Sequence, residues 1–129
     1  MKKLLLLTLL FFSINGFAFN WKIVAEGESG NSLYVDVDNL KKQNGLVYYW
    51  RLMDLLEPIK GSLGNANSNI SKFKVNCVEE KQTWLNSTHY SQSMGKGRIV
   101  IENSPNKIEY PKLNTVGHTT MKFACDNAK

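Results

Sequence analysis

With 129 residues, 43% of them hydrophobic and 21% charged, the chain has room for one domain rather than two. This composition excludes collagen-like, coiled-coil and charge-rich disordered chains, and the apolar run long enough to discuss as a membrane segment lies at the very N-terminus. The formal charge of +5 is mild and the lysines are interleaved with acids, so no nucleic acid is expected as a partner, while weak attraction to acidic polymers or anionic lipid surfaces stays open.

Met1-Lys2-Lys3 followed by the apolar run Leu4 to Phe12 has the form of a basic n-region and h-region of a secretory signal. Gly16 and Ala18 fit the small-residue positions of a signal-peptidase site, which places cleavage between Ala18 and Phe19 and leaves residues 19–129 as a single domain. Removal of Lys2 and Lys3 lowers the charge by two. No cysteine stands near the cut, so lipid anchoring is not expected. The mature chain is expected to be exported, to periplasm or cell surface, with no transmembrane span.

Beyond the cut, most of the chain alternates with period two, the pattern of strands with one face on a core. Trp21, Ile23 and Ala25 form one such set; Leu33, Val35 and Val37 form the next after the turn at Glu28 to Asn31. Asp38 is placed to cap a short helical turn through Asn39 to Lys42, and Asn44-Gly45 is a hairpin signal. The run Leu46 to Met53 is apolar on both faces, with Val47, Tyr49 and Met53 opposite Leu46, Tyr48, Trp50 and Leu52. It therefore reads as a central strand whose Tyr49 side is covered by a helix or a second subunit. A homodimer is one way to provide that cover.

Residues 57 to 69, rich in Gly, Asn and Ser, read as a long loop. Phe73, Val75 and Cys77 then face the core, Thr83 to Tyr90 forms a further strand, the glycines of Met94-Gly95-Lys96-Gly97 allow a tight turn, and Ile99 and Ile101 point inward. Thr115 to Asp126 reads either as a short helix burying Met121, Ala124 and Cys125 or as a strand burying Met121, Phe123 and Cys125.

The two cysteines, Cys77 and Cys125, both follow the leader, and one intramolecular disulfide is possible; closing 48 residues, it contributes about 4 kcal/mol by chain-entropy arithmetic. The alternatives are a metal site or a catalytic thiol, but His89 and His118 form no ligand-spaced cluster with them. Asp36 and Asp38 share a strand face, a spacing that suits a cation or an acid and base, but such a pair is more often a strand end followed by a cap, and it reads so here. Gly95-Lys96-Gly97 lacks the rest of a phosphate loop. Asn69-Ile70-Ser71 and Asn86-Ser87-Thr88 match the glycosylation sequon in a sequence of otherwise bacterial character. No catalytic residue, metal ligand or cofactor is expected, and no ligand-binding residue is identified.

Taken in order, Trp21, Leu33-Tyr34-Val35-Asp36, the strand Val47 to Asp54, Ser71 six residues before Cys77, Tyr90 with Met94-Gly95-Lys96-Gly97, and the terminal Cys125 resemble the surface-adhesin protein E family of Gram-negative bacteria. The resemblance covers nearly all of residues 19 to 129. It implies an α+β fold, an antiparallel sheet of about six strands with a C-terminal helix tethered by a disulfide, and so favours helix for Thr115 to Cys125. It also implies binding of host extracellular-matrix and serum proteins, vitronectin, laminin and plasminogen among them. The function expected is an exported, non-enzymatic binding module that uses an exposed sheet face or the loop between Glu57 and Asn69. The rival is a periplasmic domain that binds a small ligand or an envelope partner.

Overall fold

A computed structural model describes residues 18 to 129; residues 1 to 17, which carry the n- and h-regions expected of the leader, lie outside the described residues. The order of elements is β1 (Trp21–Glu26), β2 (Ser32–Asp36), β3 (Lys41–Gln43), β4 (Leu46–Gly61), β5 (Gly64–Asn76), β6 (Lys81–Tyr90), β7 (Ile99–Asn103), β8 (Lys107–Glu109) and α1 (Val116–Asn127). The strands form one antiparallel sheet in the order β1-β2-β4-β5-β6-β7, with the three-residue strands β3 and β8 added against β4 and β6. The path of six strands is the sheet expected; β8 is an addition that Ser104-Pro105-Asn106 hid from the pattern.

Residues 57 to 69 are not a loop. They form the far end of the β4–β5 hairpin, where Ile59 pairs with Ala66 and Gly61 with Gly64. Pro58, which has no N–H to give, falls in the register shift between Asp54 and Ile59. The small polar residues of β5 are buried: Ser68 accepts the Gly95 N–H and donates to the Gln92 carbonyl, so a segment that resembled a loop by composition is packed beneath the 93–97 turn. Within this hairpin the far end, with Leu56, Ile59 and Leu63 exposed, is free for contact.

Two bulges also move side chains from their expected faces. A register shift between Ile23 and Ala25 turns Val24 to the core and leaves Ile23 46% exposed. On β7 the shift opposite His89 and Tyr90 buries Val100, while Ile99 is 51% exposed. The cap is likewise shifted: Asp36, not Asp38, caps the 3-10 turn Val37–Asn39 by accepting the Asp38 N–H. Asn44 and Gly45 turn the β3–β4 hairpin with φ of 54° and 78°, the left-handed pair such a turn requires.

The ambiguous C-terminal segment is helix. Thr115 caps it by accepting the His118 N–H, and His118, Thr120, Met121 and Ala124 are its buried residues. Met121 and Ala124 join Val35, Leu40, Val47, Tyr49, Phe73 and Val75 in the core. Thus α1, rather than a second subunit, covers the Tyr49 side of β4. A disulfide joins Cys77, just beyond β5, to Cys125 in the last turns of α1, with the Cα atoms 6.0 Å apart. A helix this short does not hold alone, and the covalent tie together with the buried methionine fixes it to the sheet.

Candidate binding surface on the open sheet face

Side chains alternate along each strand, so the pairing register determines which residues meet on each face. On the covered face Tyr49, Phe73 and Trp84 stack across three strands, with ring centroids 5.2 and 6.1 Å apart. The Tyr49 hydroxyl donates to Gln82 Oε1 at 2.5 Å, and burial pushes the phenol well above its ordinary value. The Arg51 guanidinium lies 4.4 Å from the Phe73 ring centroid, and burial lowers its pKa. Asn69 donates to Ser87 and accepts from Ser71, closing a buried polar network that period-two reasoning cannot see. These groups hold the sheet together; the helix and the chain leading into it leave them little access.

The opposite face is different. Tyr48 pairs with Lys74 and Trp50 with Lys72 across β4 and β5; β3 places Lys41 beside Tyr48, and β6 places Lys81 beside Asn76 and Thr83 beside Lys74. One end of this face is closed, because the 93–97 turn lies over Leu52 and Ile70. A Cβ on Gly95 would come within 2.6 Å of the Ile70 methyl, and φ of 69° adds to the demand for glycine. The Met94 N–H on Asp54 fixes the same turn. So Gly95-Lys96-Gly97 is a packing device. Phe19 stacks on Trp21 at 4.6 Å and meets Trp50 edge-on at 5.8 Å, bounding the surface on another side.

Between these limits the face is uncovered. A depression of about 420 Å³ is lined by Asn39, Lys41, Gln43, Tyr48, Trp50 and Lys72, and a neighbouring one of about 350 Å³ includes Leu46, Lys74, Lys81 and Ile108. Among the described residues no carboxylate oxygen lies within 4.0 Å of the Lys41, Lys72, Lys74 or Lys81 ammonium.

The other candidates do not converge. Asp36 is buried and accepts from the Asn20 and Asp38 backbone and, at 2.6 Å, from Asn39, so its carboxylate is occupied as a structural cap. Asp38 is exposed and bonded to Asn20. His118 meets Glu80 at 3.2 Å, whereas His89 sits beside Asn69, where partial burial lowers its pKa. Among the described residues no group of three His, Cys, Asp or Glu is arranged to hold a metal ion. Of the sequon asparagines, Asn69 is buried.

A family model described as surface-adhesin protein E matches residues 21–126. The chain belongs to that family. Among solved structures, Haemophilus influenzae protein E is similar with a TM-score of 0.63 and 15% identity, over 87% of this chain and 88% of that one. Its crystal form II gives 0.64 at 15% identity, over 87% and 91%. Protein E from non-typeable Haemophilus influenzae gives 0.59 at 15% identity, over 87% and 80%. At such identity the structural likeness speaks for the fold, which is the family's sheet with its tethered helix. No curated protein sequence matches the chain. Among the described residues no helix is long and apolar enough to cross a membrane.

Proposed function

We propose that the chain is exported, cleaved between Ala18 and Phe19, and works at the cell surface as a non-enzymatic adhesin that holds a host matrix or serum protein on its open sheet face. The observation that carries this reading is the asymmetry of the sheet: α1 seals one face, while Tyr48, Trp50 and their lysine neighbours stay half-buried on the other. Half-buried aromatic side chains beside rotatable polar ones suit an interface. Membership of the adhesin family supports the same reading.

An immobilised panel of matrix and serum proteins tests it. The exported protein is expected to be retained by at least one member, and Tyr48→Ala with Ile108→Ser to weaken retention about tenfold, as loss of two interface contacts would, with the thermal midpoint kept. Leu63→Ser at the hairpin end should change nothing. Retention that survives the open-face pair but fails with Leu63→Ser would transfer the function to the hairpin. Protease access on intact cells tests the location.

A second reading, a periplasmic domain for a small ligand, is favoured by the 420 Å³ depression, a size within the range of small-molecule sites. Stoichiometric binding of a metabolite, with no retention by any panel member, would select it.

A further inference from the structure

We infer that the segment of the partner seated on the open face is an extended acidic polypeptide, with carboxylates on alternate residues. The inference rests on the adhesin reading above and specifies the chemistry that the surface recognises.

Four lysines from three strands are brought to one face by register. Lys72 and Lys74 stand two residues apart on β5, opposite Trp50 and Tyr48; Lys41 flanks Tyr48 from β3, and Lys81 extends the set on β6. Their ammonium groups have no carboxylate within 4.0 Å among the described residues. Of the carboxylates on this face, Asp54 accepts the Met94 N–H, and Glu102, on β7 opposite Thr88, lines a neighbouring depression with Trp50 and Asn86 but forms no ion pair with these lysines. The patch therefore carries an excess of unpaired positive charge, four lysines to the one carboxylate of Glu102 beside it, over a shallow floor that also offers hydroxyl and amide groups from Thr83 and Asn76.

Spacing selects the polypeptide from other polyanions. Alternate residues of a strand lie about 6.8 Å apart, so Lys72 and Lys74 match the same-face carboxylates of an extended peptide laid parallel to β5. Lys41 and Lys74, two strands apart, are separated by about 10 Å and reach across such a peptide from both sides. A nucleic acid would want a free aromatic platform for its bases, yet the Trp50 ring is occupied, with the Lys72 ammonium 5.3 Å from its centroid and the Phe19 ring against it. A lipid surface would want apolar side chains projecting beyond the charges. Beside the lysines the exposed large apolar group lining the depression is Ile108 alone, while Leu56 and Leu63 are on the hairpin end.

The probe is a labelled synthetic peptide of alternating Glu and Ser, titrated with the exported protein by fluorescence anisotropy. Its counterparts are the Gln–Ser peptide, a sulfated oligosaccharide, a single-stranded oligonucleotide and phosphatidylglycerol vesicles. The Glu peptide is expected to bind tightest, to weaken as salt rises, and to lose about tenfold or more in affinity with Lys72→Glu/Lys74→Glu at an unchanged thermal midpoint. Tighter binding of the oligosaccharide, oligonucleotide or vesicles overturns the inference, as does equal binding of the Gln peptide or indifference to the charge reversal. The protein panel separates the two levels. If Tyr48→Ala with Ile108→Ser weakens retention while the charge reversal does not, the acidic segment is wrong and the adhesin surface stands; if neither pair matters, the surface itself is wrong.

Discussion

The two faces of one sheet are built from the same strands, and they differ in what completes them. On the covered face the buried side chains pack against intramolecular partners: Tyr49 meets Phe73 and Gln82, Asn69 meets Ser71 and Ser87, and Met121 of α1 joins Val35 and Val47 in the core. On the open face Tyr48, Lys72, Lys74 and Lys81 have neighbours beside them but no layer above. The difference teaches that stability and recognition are divided by side-chain parity where the face is open, over Val47 to Trp50 of β4 and Lys72 to Val75 of β5, so a substitution at an odd position there and one at its even neighbour should have separable effects.

The largest expected effect lies on the covered face. Replacing both cysteines, Cys77→Ser with Cys125→Ser, should lower unfolding free energy by about 4 kcal/mol in a denaturant titration, because the tie holds a helix too short to dock unaided. Met121→Ala should cost about 2 to 4 kcal/mol, read in the same titration and as faster amide exchange along α1. If α1 were dispensable to the fold, both values would fall well below these. Asp36→Ala, which strips two backbone N–H groups and Asn39 of their acceptor, should cost about 1 to 2 kcal/mol.

A smaller effect is expected from pH. Partial burial makes the His89 imidazole a weaker base in the folded chain than in the unfolded one. The unfolded state therefore binds more protons as pH falls below about 6.5, and stability should decline on acidification through that range while staying flat with respect to this group above it. His89→Gln should flatten the slope of thermal midpoint against pH. The smallest effect belongs to the open face: Lys74→Gln should alter stability by less than about 0.5 kcal/mol. A large loss there would break the division between the faces.

Much of this plan was legible in the sequence. Alternation along Leu46 to Met53 marked a strand with two apolar faces and a need for cover, and Phe73, Val75 and Cys77 shared a face as expected. The helix was harder, since Thr119 and Thr120 suit a strand as well; in the helix their hydroxyls donate back to the Thr115 and Val116 carbonyls, and docking decides the outcome. The β4–β5 hairpin end was missed because Ser68 and Asn69 look like loop residues until the turn at 93–97 and the Ser87 hydroxyl supply their partners. Bulges on β1 and β7 shifted Ile23 and Ile99 outward, and nothing in the local pattern announces a bulge. The lysine patch was invisible for another reason: Lys41, Lys72, Lys74 and Lys81 read as scattered charge until the register of β3 to β6 sets them side by side.

The most direct test of the division is residue-resolved NMR of the exported protein, free and with whichever panel protein retains it. The division predicts that shift changes centre on Tyr48, Trp50, Lys72, Lys74 and Thr83, while Met121, Ala124 and the Tyr49 side stay unmoved. Changes confined to α1 or to the hairpin end around Leu63, with the open face silent, would contradict it.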